Sequence, residues 1–269
     1  MLTLTDRDSK AYYHRGKANH ELGDYDDAIA DYTKAIGIEP KFGMAYHDRG
    51  YAKYESWDYA GAIDDFSLAI ELDSNYASAY NHRGNAKNEL NDRLSAIADY
   101  TKAIELNPEF AIAYKNRGNV YYNLANYRAA IADFSAAICL EPSSAIYYNH
   151  RGNIKYNSGD YHGAIADFTS SIALDSQSII CYNNRGNDNY NLKNYRMAIA
   201  DFSRAISIDP ENATTYSWRG WENYKLGDYY EAISDFSKSI VLSPSDRITN
   251  KIQELESKLD YMATMMESA

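Results

Sequence analysis

Four asparagines, Asn85, Asn119, Asn153 and Asn187, recur at intervals of 34 residues. A primary amide donates and accepts at once, so each can bond a peptide carbonyl and a peptide N–H together. A row of such amides is suited to holding a polypeptide main chain, whatever its side chains. An arginine and an aspartate keep the same interval. Arg15, Arg49, Arg83, Arg117, Arg151, Arg185 and Arg219 are each followed sixteen residues later by Asp31, Asp65, Asp99, Asp133, Asp167, Asp201 and Asp235. An arginine fork meets a carboxylate through two parallel hydrogen bonds, which points to structural bridges within or between repeating units, with a ligand role for the arginines as the other reading. Catalytic motifs are missing: there is no Gly-rich phosphate loop, no His-Glu-x-x-His pair, no Gly-x-Ser-x-Gly elbow and no calcium loop. Neither an enzyme nor a cofactor is expected.

The interval fixes the elements that must position these groups. With the glycine after each arginine set at position 8, seven units fill residues 9–246, at 9–42, 43–76, 77–110, 111–144, 145–178, 179–212 and 213–246. Position 20 is always Ala, positions 21 and 28 are always Ile, and position 24 is Tyr or Phe. Apolar residues at 20, 21, 24, 27 and 28 line one face of an α-helix. A first helix over positions 2–14 packs against it, and a turn at positions 15–17, as in Gly23-Asp24-Tyr25, joins the two. All five prolines stand at position 32, where they stop one unit and set the extended entry to the next. The expectation is fourteen short antiparallel helices. Packed helices lie about 8–10 Å apart and an extended chain advances about 3.3 Å per residue, so the asparagines would meet roughly every third peptide group of a bound strand.

At these residues the chain resembles the tetratricopeptide repeat family, a 34-residue helix-turn-helix with an aromatic at 4, Gly 8, Tyr 17, Ala 20, an aromatic at 24, Ala or Ser 27 and Pro 32. The resemblance implies an all-α, right-handed α-solenoid superhelix of seven units whose concave groove is lined mainly by positions 2, 5, 6, 9, 12 and 13. On that frame Asn85, Asn119, Asn153 and Asn187 face the groove, with Asn116, Asn149, Asn183 and Asn184 as further donors. Tyr122, Tyr156, Tyr190 and Tyr224 would form its wall, and Trp218 and Trp221 an aromatic patch at the C-terminal end. Each of these is alternatively a solvated or partly packed helix residue. Glu21, Glu55 and Glu89 against Lys225 would make a charge gradient that orients a bound peptide. Five histidines, His14, His20, His47, His82 and His150, also fall on groove positions. They stand mostly about 10 Å or more apart by the helix spacing, too far for two to share a metal.

The chain departs from the family at three places. Position 7 is Arg where a large aliphatic is usual, and Asp188 and Glu222 stand where earlier units carry Ala or an aliphatic, which leaves the packing of repeats six and seven open. One subclass of the family clamps the C-terminal carboxylates of chaperone tails. Here Lys115 and Asn119 match it, but His150, Ile180 and Asn184 occupy its later places, so that activity is not expected.

Composition narrows the partner. Asp plus Glu number 38 against 27 Lys plus Arg, a net charge of −11, which argues against nucleic acid, and no run approaches the roughly 18 apolar residues of a membrane span. Cys139 and Cys181 are too few for a disulfide framework or a four-ligand metal site, and the start MLTLTDRDSK lacks a signal peptide's regions, so a cytoplasmic location is expected. Residues 1–8 form a lead-in. Residues 247–269 carry apolar side chains at Ile248, Ile252, Leu255, Leu259, Met262 and Met266, suited to a helix that caps the open solenoid or to a seam for a weak homodimer. The expected function is a protein-interaction adaptor for an extended peptide; the alternative is a scaffold that self-assembles through its ends or the C-terminal helix.

Overall fold

The computed structural model describes residues 8–267, with side chains to 265, and divides into two compact units between Glu141 and Pro142. The first holds four helix pairs: α1 (Ser9–Glu21) with α2 (Tyr25–Ile38), α3 (Gly43–Glu55) with α4 (Tyr59–Leu72), α5 (Ala77–Glu89) with α6 (Arg93–Leu106), and α7 (Ala111–Asn123) with α8 (Tyr127–Leu140). The second holds α9 (Ala145–Asn157) with α10 (Tyr161–Leu174), α11 (Ile179–Asn191) with α12 (Tyr195–Ile208), α13 (Ala213–Leu226) with α14 (Tyr229–Leu242), and a terminal α15 (Asp246–Glu267). The described residues contain no strand. Each unit is a stack of helix hairpins, the local architecture of an α-solenoid. The lead-in 1–8 lies outside the described residues except for Asp8, whose carboxylate accepts from the Ala11 N–H at 3.1 Å and caps α1.

Three contacts build every hairpin. The glycine at position 8 lets the first helix close on the aromatic at position 24: a Cβ on Gly186 would lie 2.7 Å from the Phe202 ring, and one on Gly84 2.8 Å from Tyr100. These rings sit in the centre of the core, Phe202 fully buried and Tyr100 almost so. The position-15 residue turns the chain with positive φ in all seven repeats, at Gly23, Gly159 and Gly227 but also at Trp57, Asn91, Ala125 and Lys193. Four of the following Asp or Asn residues, Asp58, Asp92, Asn126 and Asp160, then cap the second helix through the N–H three residues on.

The third contact is the Arg–Asp bridge. It runs inside each repeat: Arg117 Nε and Nη2 reach Asp133 Oδ2 and Oδ1 at 2.9 and 2.7 Å. The remaining guanidinium nitrogen reaches back to the preceding repeat. Nη1 of Arg49, Arg83, Arg117, Arg185 and Arg219 donates to Thr33, Ser67, Thr101, Thr169 and Ser203 at 2.9–3.1 Å. Each arginine also lies over the position-4 tyrosine, at 5.5 Å for Arg15 on Tyr12 and 5.8 Å for Arg219 on Tyr216. One side chain therefore joins both helices of its own repeat and the helix before it. The aspartate receives a further donor from position 11, Lys53, Lys87 and Lys155 in three repeats and Asn19, Asn189 and Asn223 in three others.

On α15, Ile248, Ile252 and Leu255 are buried against Ala232 and Phe236 of α14. The stripe does not stay covered: Leu259 is half-buried and Met262 is 45% exposed, while the side chain of Met266 lies outside the described residues.

Candidate functional site

Within each unit successive first helices touch one another, α1 with α3, α3 with α5, α5 with α7 and α9 with α11. Side chains at positions 5, 6 and 9 therefore meet across neighbouring repeats. Asn116 Nδ2 donates to Oδ1 of both Asn81 and Asn85 at 3.0 Å, and Asn85 also accepts from the Tyr100 hydroxyl at 2.9 Å. In the second unit Asn184 donates to Asn153 Oδ1 at 2.9 Å, and Asn153 reaches Asn149 at 3.4 Å. Asn85 and Asn153 are thus stitched to the next repeat. Asn119 and Asn187 make no side-chain hydrogen bond among the described residues. Asn183 is not a groove donor: it is buried and exchanges hydrogen bonds with the Thr215 hydroxyl at 3.1 and 3.3 Å, because position 5 points between first helices.

Asn187 is left unstitched for a visible reason. The next repeat carries Trp218 where Asn116 and Asn184 stand in theirs, and its indole packs on Phe202 with ring centroids 5.7 Å apart. A cavity of about 540 Å³ opens beside it. Tyr156, Tyr190, Trp218 and Trp221 supply aromatic walls, and Asn187 and Asn191 supply amides. Glu222, Lys225 and Arg247 complete the lining. Trp221 is held edge-on against Phe236 at 5.1 Å, and Arg247 lies over its ring at 5.6 Å. Six of the residues expected at a groove, Tyr156, Asn187, Tyr190, Trp218, Trp221 and Lys225, come together here. Tyr224 does not join them, since it packs on Tyr229 with the Lys251 ammonium 4.0 Å above its ring. Tyr122 is likewise half-buried, against Tyr127.

Glu222 is 3% exposed, and its Oε2 has no hydrogen-bond partner. Burial raises its carboxyl to about 7, and the charge of Lys225 only partly opposes this. At the same position one repeat earlier, Asp188 is fully buried with both oxygens unpartnered. Burial first, then the charge of Asp160, pushes it to about 7. All four equivalent residues of the first unit are apolar, and three of them, Ala52, Ala86 and Val120, are buried, while Ala18 of the first repeat is exposed. Helix pairing survives both acids, which answers the packing question that they raised, but each leaves a carboxyl in the interior.

In the first unit Glu21 and Glu89 are exposed and Glu55 is half-buried. The histidine spacing expected from the helices is wrong for one pair: His47 Nε2 and His82 Nδ1 are 2.9 Å apart. Imidazole side chains on touching helices lean together across a gap that the helix axes alone overstate. His47 Nδ1 pairs with Asp48 at 2.8 Å, and the Tyr13 hydroxyl donates to the same carboxylate at 2.7 Å. Burial, reinforced by His47, lowers His82 to about 4. Burial pushes the Asp48 carboxyl up, but hydrogen bonds from His47 and Tyr13 outweigh it and leave that group below its ordinary range. No grouping of three or more His, Cys, Asp or Glu that could hold a metal occurs among the described residues. Nor, among these residues, is any helix long and apolar enough to cross a membrane.

Family models described as tetratricopeptide repeat match residues 9–42, 111–144 and 179–212 in one case and 145–178 and 213–246 in another. A third, described as TPR repeat, matches residues 89–124, and together they span more than half of the chain. The chain belongs to the tetratricopeptide repeat family. The boundaries of its matched tetratricopeptide repeats fall, for five of them, on the frame set by the Arg-Gly pairs. Solved tetratricopeptide structures agree. The C-terminal part of a TPR repeat-containing protein from Cytophaga hutchinsonii has a TM-score of 0.79 at 16% identity, covering 88% of this chain and 98% of its own. YrrB, described as a TPR protein with an unusual peptide-binding site, gives 0.63 at 21%, with 71% of this chain and 99% of its own. MamA from Desulfovibrio magneticus gives 0.59 at 20%, with 63% and 96%. At such identities the likeness concerns the tetratricopeptide fold alone. No curated protein matches the sequence. Tetratricopeptide repeat proteins generally mediate protein–protein interaction, a role typically free of catalysis.

Proposed function

We propose that this chain is a protein-interaction adaptor that binds an extended peptide segment of a partner along the first helices of its repeats, centred on α9, α11 and α13. One observation carries the reading: Asn187, an amide with no partner of its own, opens into a cavity walled by four aromatic rings. Such a site meets a main-chain amide with hydrogen bonds and an adjoining side chain with rigid, amphipathic surface. Asn119 is the second free amide, whereas Asn85, Asn116, Asn153 and Asn184 hold the repeats in register and offer a ligand only the bonding capacity they have left over.

The test is a peptide selected by display on the full chain, then titrated against the variant Asn187→Ala. A neutral hydrogen bond is worth about 0.5–1.5 kcal/mol, so affinity should fall roughly two- to tenfold with the melting curve unchanged. Unaltered affinity removes this amide from the site. A second reading, self-association, is favoured by the exposed outer half of α15, where Tyr261, Met262 and Met265 are 66, 45 and 54% exposed. Met262→Glu with Met265→Glu should convert any dimer seen by light scattering to monomer. A monomeric wild type at all concentrations ends that idea.

A further inference from the structure

Glu222 lines the cavity of the second unit, is buried to within a few per cent, and has an oxygen that bonds to nothing. A buried carboxyl without a partner carries a desolvation cost that a ligand supplying a donor would recover. The chain's own cations do not. Lys225, three residues on along α13, makes no ion pair with it among the described residues and lies over the Tyr224 ring at 6.0 Å. Arg247 is spent on Trp221, and Lys251 on Tyr224 and Glu254. Besides Lys225 and Arg247, the cavity around Glu222 is lined by the neutral amides of Asn187 and Asn191 and by four rings, Tyr156, Tyr190, Trp218 and Trp221. Ring faces attract cations, and an alkyl stem packs along them.

We infer that this cavity takes a basic side chain, lysine or arginine, of the bound segment, with Glu222 as the carboxylate that pairs with its cationic head and the tyrosine and tryptophan rings as the sleeve for its stem. This deepens the peptide reading by naming the side chain that the segment must present. A basic guest would supply the missing hydrogen-bond donor and favour the ionised form of Glu222, so binding releases a proton wherever the empty site holds one. The titratable and charged groups sharing the cavity with it are Tyr156 from α9, Tyr190 from α11, Lys225 from α13 and Arg247 from α15, and none is an acid that could pair with the guest instead.

The experiment uses the full chain with Trp57→Phe, so that the two remaining indole N–H resonances belong to Trp218 and Trp221. N-acetyl-lysine amide, N-acetyl-arginine amide and, as the opposite charge, N-acetyl-glutamate amide are titrated while these resonances are followed. The basic probes should shift both, the acidic probe neither. Affinity for the basic probes should rise about tenfold from pH 5 to 6 and level off above pH 7, where Glu222 is ionised without help. Glu222→Gln, which keeps the shape, should weaken them at least tenfold at pH 8. Stronger binding of the acidic probe, no response to any probe, or basic-probe binding that is independent of pH overturns the inference; the pH profile decides the matter even if the variant fails to fold. These outcomes are separate from the peptide test. A displayed peptide that binds through Asn187 without a basic residue leaves the adaptor reading standing and removes this one, whereas basic-probe binding without any selected peptide does the reverse.

Discussion

Arg117 holds both oxygens of Asp133 at 2.9 and 2.7 Å, and the same guanidinium reaches Thr101 of the preceding repeat at 2.9 Å. The pair is largely buried, with the two side chains 17 and 7% exposed. Breaking a buried pair from one side strands the other charge and costs about 3–5 kcal/mol. Asp133→Ala should therefore destabilise the chain by roughly 3 kcal/mol in urea unfolding. Arg117→Lys should recover little, since an ammonium cannot bridge two carboxylate oxygens and a hydroxyl on another repeat. Full recovery by lysine would reduce the arginine to a point charge.

Gly186 faces the fully buried Phe202 ring, with a hypothetical Cβ 2.7 Å from it. Overpacking of this kind costs about 1–3 kcal/mol, so Gly186→Ala should be destabilising by that amount. Adding Phe202→Leu in the same chain should cost less than the two changes sum to separately, a coupling that a double-mutant cycle measures.

Lys193 occupies a left-handed turn with φ of 61°, where Gly159 in the repeat before has 85°. A side chain there costs about 1–2 kcal/mol, offset partly by the greater unfolded freedom of glycine, which is worth up to about 1 kcal/mol. Lys193→Gly should raise stability by roughly 0.5 kcal/mol, and Gly159→Ala should lower it by about the same or more. Changes in melting temperature of opposite sign, the fall at Gly159→Ala at least as large as the rise at Lys193→Gly, are the outcome to look for.

Asp188 and Glu222 titrate near 7 in the folded chain, above the ordinary carboxylate range of the unfolded one. Between about pH 4 and 7 the folded state binds more protons, so both groups contribute stability that is full below the unfolded value and lost as pH rises through 7. A shift of this size is worth on the order of 4 kcal/mol at Asp188. Unfolding of the chain by urea at pH 5 and pH 8 should show the loss, and Asp188→Asn with Glu222→Gln should flatten it. A steeper decline in the double variant would assign the effect elsewhere.

Much of this molecule was legible in its sequence, because a repeat prints the same packing demand seven times. Gly at 8 against an aromatic at 24, Asp at 23 opposite Arg at 7, and Ala at 20 all recur without exception, and a short hairpin satisfies them by contacts sixteen residues apart. Spacing alone placed the helices and the turns; it pointed to the Arg–Asp bridges but left open whether they run within or between repeats, and the structure puts them within. The site was legible only in part. Asparagines that look alike along the chain divide into stitched and free ones according to what stands on the neighbouring helix: Asn184 beside Asn153, Trp218 beside Asn187. The His47–His82 contact has the same origin, since it depends on side-chain reach across touching helices, whereas the burial of Glu222 comes with its place in the repeat, at which Ala52, Ala86, Val120 and Asp188 are buried too. Sequence determined the framework through local, repeated contacts; tertiary structure alone decided which polar groups it leaves unpaired, because pairing is settled between repeats, where this chain's residues differ.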